Sequence, residues 1–182
     1  MTYPDDYDQH LVRTVANGDI QAMDVLYERH GLGVLNYLVG QLGDRQQAEE
    51  ILQDVMLAVW KGAASFRGDS QVRTWLLGIA RHRALNARQR RRPASLPLDE
   101  DINLVEEPHD TLEESARQMH VQRGLRQLTA DQRETLELIF YHGLTGSEAA
   151  AVMGVSPGTV KSRLHRAKAA LRDLLGKEEA NG

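Results

Sequence analysis

Residues 144–168, LTGSEAAAVMGVSPGTVKSRLHRAK, constrain this chain more than any other stretch, because they dictate two helices and the turn between them. Thr145 and Glu148 form a T-x-x-E capping box, which starts a helix. Ala149, Val152 and Met153 give that helix an apolar side. Gly154 supplies the left-handed residue that ends it. Ser156 is a favourable N-cap, and Pro157 takes the first helical position, where no N–H is needed. In the second helix Val160, Leu164, Ala167, Leu171 and Leu174 recur at helical spacing, which predicts one buried stripe. Lys161, Ser162, Arg163, His165 and Arg166 fall off that stripe. A short helix, a tight turn and a second helix with a basic, hydroxyl-bearing outer face make the pattern of a helix-turn-helix, whose second helix enters the DNA major groove. Arg and Lys suit guanine edges there, and Ser takes either partner. A helical hairpin with a solvated cationic face would carry the same caps. The S-P-G-T cap joined to a basic second helix favours the DNA reader.

The chain as a whole has a formal net charge of −4, which is unusual for a DNA binder. The distribution resolves the conflict. Residues 81–92, RHRALNARQRRR, hold six Arg and no acid, whereas residues 96–114, LPLDEDINLVEEPHDTLEE, hold eight acids and no Lys or Arg. Residues 157–175 return to five basic groups against one acid. Two basic patches are therefore separated by an acidic bridge, and the average hides both. With no cysteine, disulfides and thiolate metal sites are excluded. The seven His lack ligand spacing and read as surface or interface residues, so no metal or cofactor is expected. The opening MTYPDDYDQHL is acidic and has no apolar stretch, and no later run reaches the roughly 18 apolar residues of a membrane span. Neither a secretory signal nor membrane insertion is expected, and the default location is cytoplasmic.

Strand alternation is never sustained, and everything periodic is helical, so the fold class is all-α: two small helical domains joined by a flexible acidic linker. A first helix over roughly 7–17 uses Leu11, Val12 and Val15 and ends at Asn17-Gly18. Asp19 caps a second, with Ala22, Met23, Leu26 and Tyr27 inward; the pattern continues through Val34, Leu35, Leu38, Val39 and Leu42 as one bent helix. Asp44 caps a third, in which Ala48, Ile51, Leu52, Val55, Met56, Val59 and Trp60 make the clearest stripe in the chain. A loop, AASFRGDSQV, leads to a helix from about 71 to 91 that begins apolar (Val72, Trp75, Leu76, Ile79) and turns densely basic. Trp75 falls on the core period. Residues 93–111 contain three of the five prolines and no periodicity, and read as a linker. The expected division is 1–92, linker 93–111, and 112–182. In the second domain a helix with Leu112, Ala116, Met119, Val121, Leu125 and Leu128 precedes a capping box at Thr129 and Gln132; Leu136, Ile139 and Phe140 then point inward before the Gly143 turn.

Two stretches carry a family resemblance. LYERH through AEEILQDVMLAVWKGAASFRGDSQVRTWLLGIARHRALNARQRRR resembles domain 2 of bacterial sigma factors, and LTADQRETLELIFYHGLTGSEAAAVMGVSPGTVKSRLHRAKAAL resembles domain 4. Two such domains with no domain 3 between them resemble the extracytoplasmic-function group of the sigma-70 family, over nearly the whole chain. The resemblance implies a protein that binds core RNA polymerase, directs it to promoters, helps open the duplex in transcription initiation and performs no covalent chemistry. It implies polymerase docking through Glu49, Glu50, Gln53, Asp54 and the apolar Leu57; on composition alone the same face is a solvated acidic one. It implies recognition of the −10 element, with a flipped base, by the loop carrying Phe66, Gly68, Asp69 and Ser70 and by the helix after it. There Asn86 matches a DNA-facing position, and Arg81, Arg83 and Arg88 match phosphate contacts. His82 stands where relatives often carry Asn, which leaves the identity of the −10 base open. Lys161, Ser162, His165 and Arg166 match positions that read the −35 element. Arg163 matches a phosphate contact or a contact to the preceding helix, and Thr145 and Thr159 match phosphate contacts. The acidic linker matches a segment that threads toward the RNA exit path, while its composition alone reads as a solvated tether. A stress-response role and an anti-sigma factor as a further partner complete the implied picture.

Two rival classes stand beside it. A DNA-binding regulator that never touches polymerase would share the helix-turn-helix but lack residues 20–92, and a sigma-like decoy would bind partners without directing initiation. No nucleotide loop, nucleophile elbow or carboxylate pair at meaningful spacing supports an enzyme.

Overall fold

The computed structural model describes residues 5–91, 125 and 127–179. Its helices are α1 (Asp5–Ala16), α2 (Ile20–Leu42), α3 (Arg45–Gly62), α4 (Val72–Arg91), α5 (Ala130–Leu136), α6 (Gly146–Met153) and α7 (Pro157–Glu179). A 3₁₀ turn at Ala63–Ser65 follows α3, and a π turn at Glu137–Tyr141 follows α5. No strand occurs among the described residues, in agreement with the all-α expectation. Contacts divide the chain into two compact units, the first containing α1–α4 and the second α5, the π turn, most of α6 and all of α7. The expected linker at 93–111 and most of the helix expected after it lie outside the described residues.

In the first unit α2 packs against α1, α3 and α4, and α3 packs against α4. The helix starts follow from local chemistry. The Gln21 and Ala22 N–H groups donate to the Asp19 carboxylate, and the Gln47 N–H donates to Asp44. The Gly43 backbone, at φ 67°, closes α2 in the left-handed region. The core is the stripe the sequence announces: Leu11, Val12 and Val15 of α1, Leu26, Val34 and Leu38 of α2, Ala48, Leu52, Val55 and Val59 of α3, and Val72, Leu76, Leu77, Ala80 and Ala84 of α4.

Two aromatic expectations need correction. Tyr27 is 49% exposed rather than inward, because its ring lies along the helix surface over Gly31, where a Cβ would stand 3.3 Å from it. Trp60, expected on the α3 stripe, is 36% exposed: it sits on the flank of a stripe whose centre is filled by Val55 and Val59.

The reading of the His residues as surface or interface groups fails at His142, and His30 is only partly exposed. His142 is buried, with Nε2 3.7 Å from Glu137 Oε1. His30 joins a buried ion cluster, in which the Arg29 guanidinium Nε donates to Asp8 Oδ1 at 2.7 Å and His30 Nε2 lies 2.9 Å from Asp8 Oδ2. The cluster ties α1 to α2. Arg29 also lies over the Tyr7 ring, 5.0 Å from its centroid. Burial holds the His30 pKa below the ordinary imidazole value; the charges of Arg29 and Arg73 act in the same direction, and Asp8 opposes them without prevailing.

The second unit is centred on Leu128, Leu136 and Ala167, with Leu125, Leu164, Ala170 and Leu171 packed around them. The expected capping box at Thr129 is formed in both directions. Phe140, expected inward, is 63% exposed. The cause is the π turn: the His142 N–H donates to the Glu137 carbonyl five residues back, at 3.0 Å. The wider turn moves later residues off the α-helical stripe, so Leu138 is buried and Phe140 is not.

Replacing Asp8 with Ala removes the buried carboxylate that Arg29 and His30 share. Urea unfolding of the full chain is expected to show a loss of about 3 kcal/mol or more in the first unit. Because the folded chain binds the His30 proton less readily than the unfolded one, stability is complete above the ordinary imidazole value of about 6.5. It declines as pH falls below that value toward the lower folded pKa, and in His30→Gln the slope between pH 6.5 and 5 flattens.

Candidate nucleic-acid interface

The helix-turn-helix is built as its residues require. The Glu148 N–H donates to Thr145 Oγ1 at 3.2 Å, and the Thr145 N–H donates to Glu148 Oε2 at 2.7 Å, completing the box at the start of α6. Gly154 ends α6 at φ 66° and ψ 34°, its N–H donating to the Ala150 carbonyl. Two residues on, the Thr159 N–H donates to Ser156 Oγ at 3.1 Å, so Ser156 caps α7. The buried side of α7 begins with Val160 and Ala167, with Leu164 and Leu171 partly covered. The Leu174 side chain lies outside the described residues.

Burying Val160 and Ala167 turns Lys161, Ser162, His165 and Arg166 to solvent, and all four are exposed. They occupy positions i, i+1, i+4 and i+5 of one helix, which places them on a single face over about one and a half turns. Thr145 is exposed and Thr159 half-buried, and both hydroxyls already serve caps: Thr159 Oγ1 lies 2.9 Å from Ser156 Oγ. Arg163 behaves differently from its neighbours. Its guanidinium is ion-paired with Asp131 of α5, and it is only partly exposed. The sequence placed it at phosphate or against the preceding helix; instead it ties α7 to a helix that lies earlier still. Lys168, which sequence reasoning did not single out, lies over the Phe140 ring at 5.2 Å.

In the first unit the loop between the 3₁₀ turn and α4 carries Phe66, Gly68, Asp69 and Ser70. Gly68 has φ 77°, and Asp69 pairs at 3.0 Å with Arg67 in full view of solvent. The Phe66 ring packs on Trp75, centroids 4.8 Å apart and planes tilted 40°. Trp75 is thus half-buried and shares its surface with the loop rather than lying wholly in the core. Along α4, His82 and Arg83 are exposed and Arg81, Asn86 and Arg88 half-buried. The Asn86 amide Nδ2 lies 3.4 Å from His82 Nδ1, one turn apart, so these two side chains act as a pair.

The third group stands on α3. Glu49, Glu50, Gln53 and Asp54 are exposed, Arg45 Nε donates to Glu49 at 3.0 Å, and Leu57 is 51% exposed among them. Leu57 is the apolar member of this otherwise polar face. The described residues contain no group of three or more His, Asp or Glu placed to hold a metal, and no helix long and apolar enough to cross a membrane.

Comparison with known proteins shows the family. Residues 26–93 match the model for sigma-70 region 2, and residues 118–171 match that for sigma-70 region 4. The RNA polymerase sigma-H factor of Pseudomonas aeruginosa is 34% identical over 180 residues, which span 92% of this chain and 93% of the relative. The ECF RNA polymerase sigma factor SigM of Mycobacterium tuberculosis is 33% identical over 171 residues, spanning 93% and 85%. Among solved structures, CnrH in complex with the cytosolic domain of CnrY has a TM-score of 0.69 at 25% identity, covering 93% of this chain and 97% of that one. The sigma factor RpoE of Bartonella quintana, in complex with the anti-sigma factor NepR, has a TM-score of 0.61 at 30% identity, covering 82% and 96%. The chain belongs to the sigma-70 family of RNA polymerase sigma factors, and within it to the extracytoplasmic-function group. Sigma factors are transcription initiation factors.

A Cβ at residue 154 would meet nothing within 4 Å, so the cost of Gly154→Ala is that of the left-handed backbone alone. That is about 1–2 kcal/mol. Thermal unfolding of the full chain should show the loss in the transition of the second unit, with the first unit's transition unmoved.

Proposed function

We propose that this chain binds core RNA polymerase, carries it to promoters with matching −35 and −10 elements and promotes opening of the duplex. The observation that carries the reading is the division of α7 into a buried stripe and an exposed Lys161, Ser162, His165 and Arg166 face. A helix so divided offers base-reading groups to a major groove while its back is fixed to a body. Lys161 and Arg166 supply donors for guanine, and Ser162 and His165 supply adaptable partners. Thr145 and Thr159 sit at helix starts, where backbone amides also favour phosphate.

The −10 element falls to the loop of Phe66, Gly68, Asp69 and Ser70 and to the Asn86–His82 pair on α4. Flipping a base out of the stack costs about a few kcal/mol. Pocket contacts in the loop and phosphate contacts from Arg81, Arg83 and Arg88 offset that cost. Because His82 is held by Asn86, the pair presents one combined hydrogen-bonding edge rather than two independent ones. Docking on polymerase uses α3, where Glu49, Glu50, Gln53 and Asp54 surround Leu57; an apolar contact ringed by charge gives both affinity and partner choice. The chain divides into the −10 and docking domain at 1–92, a linker at 93–111 and the −35 domain at 112–182.

Two relatives are held in complexes with CnrY and with the anti-sigma factor NepR, and this supports an anti-sigma partner here. Control of that kind suits a stress response, and the site of action is the cytoplasm, where polymerase and promoters are.

Run-off transcription with core enzyme on a genomic library tests the whole proposal, since a DNA binder that ignores polymerase confers no start-site choice. Arg166→Ala should weaken binding to −35 DNA by about 1–3 kcal/mol in a salt-matched titration; unchanged affinity removes Arg166 from the reading face. Asp54→Lys should impair holoenzyme assembly in a pull-down while circular dichroism and melting stay those of the parent. Assembly at parental level would take Asp54 off the docking face.

A further inference from the structure

The acidic opening of the chain is the one sequence feature that the proposed function leaves unused, and two of its carboxylates are engaged inside the first unit. Asp8 binds Arg29 and His30, as described above. Asp5 reaches a different place. Its Oδ1 accepts the N–H of Val72, the first residue of α4, at 3.1 Å, across 67 positions of sequence. Its Oδ2 accepts the Gln9 side-chain amide at 2.7 Å. Gln9 in turn presents Oε1 to Gly68, standing 3.3 Å from where a Cβ would be.

The first amides of a helix have no partner within the helix, and the side chain that takes one of them fixes the angle at which the chain enters. Here Asp5 of α1 holds the first amide of α4. The held amide lies immediately after Ser70 and Gln71, so the point where the loop joins α4 is anchored. Within the same short loop, Gln9 Oε1 stands beside Gly68, at φ 77°. Aromatic contact between Phe66 and Trp75 supports the loop from a third direction. Asp69 and Ser70 therefore lie between the Val72 amide held by Asp5 and a Gly68 flanked by Gln9, whose side chain the same carboxylate holds.

We infer that Asp5 is a positioning residue for −10 recognition: through Val72 and Gln9 it sets the shape of the 66–72 loop that receives the flipped base. The inference rests on the assignment of this loop to the −10 element. Asp5 touches no DNA; it acts on the geometry of groups that do. Loss of a hydrogen bond to a charged acceptor at such a point loosens the pocket and lowers discrimination between bases more than it lowers total affinity, because phosphate contacts from α4 and the −35 contacts are untouched.

The test is run-off transcription by holoenzyme, reconstituted from core polymerase and the full chain, on a promoter library randomised separately in its −10 and −35 positions. Asp5→Ala should lower the preference at the flipped −10 position by about tenfold, the loss expected for one hydrogen bond to a charged group, with the −35 preference unchanged. Gln9→Ala, which keeps the bond to Val72, should lower it by a smaller factor. Asp5→Asn retains an oxygen for the Val72 amide and should restore most of the preference. Equal −10 preference in parent and Asp5→Ala overturns the inference and leaves the proposed function standing. A parallel fall in −10 and −35 preference, or Asn no better than Ala, also overturns it, since either marks a general loss of structure. A parent that shows no −10 preference at all overturns the assignment of the loop, and this inference with it.

Discussion

An α-helix gives each side chain one direction, and at 3.6 residues per turn a helix long enough to pack has two usable faces. Both helices to which the proposed function gives a partner are divided by that constraint. In α3 the stripe Ala48, Leu52, Val55 and Val59 is fully or almost fully buried, and the remaining circumference carries Glu49, Glu50, Gln53, Asp54 and Leu57. In α7 the stripe starting at Val160 is buried, and Lys161, Ser162, His165 and Arg166 take the remainder. The apolar stripe does more than stabilise. It fixes the rotation of each helix about its axis, and with it which charges a partner meets. A shift of one residue in the packing of α7 would turn its basic face by about 100° and dismantle the reading surface.

Charged groups inside each unit serve orientation rather than recognition. Arg163 is cationic and lies among residues that face outward, yet its guanidinium is committed to Asp131. The pair removes one positive charge from the outer face and in exchange links α7 to α5, the helix that also supplies Leu136 to the core. Lys168 lies over the Phe140 ring, a contact that leaves its charge in place. Lys161 and Arg166 stand together on one exposed face of the helix. At the other end of the chain Asp8 is almost wholly buried and holds Arg29 and His30, so part of the acidic charge of the N-terminus is internal and neutralised. A formal net charge of −4 consequently says little about the potential at either candidate DNA face.

Much of this was legible in the amino-acid order because the informative residues act on near neighbours. Capping boxes at Thr129 and Thr145, N-caps at Asp19, Asp44 and Ser156, and the left-handed Gly154 are all local devices, and each appears where the sequence places it. Stripes were legible where the helix is regular. They misled where it is not: Phe140 lies in a π turn, which no three- and four-residue spacing announces. Tyr27 and Trp60 lie on stripe edges, where a large ring can either turn in or lie along the helix, and the choice depends on what stands opposite; for Tyr27 it is the bare backbone of Gly31. Partners distant in sequence were not legible at all. Nothing near Arg163 points to Asp131, and nothing near Val72 points to Asp5, since either carboxylate could have faced water at no cost to the local pattern.

Under the proposed function the two DNA-facing surfaces meet different physical demands, and their construction differs accordingly. A duplex −35 element keeps its shape, so its reader needs only a correctly rotated helix, and a buried stripe on one side is sufficient. A flipped −10 base has no stack to hold it. Its orientation comes entirely from the receiving loop, and a loop of Gly, Asp and Ser has little apolar surface with which to hold itself. Rigidity must then be brought from outside: from Trp75 beneath Phe66, and from α1 through Asp5 at Val72 and Gln9 beside Gly68. The N-terminal helix adds little that a recognition motif would reveal, yet without it the unit lacks the contacts that give the loop a single shape.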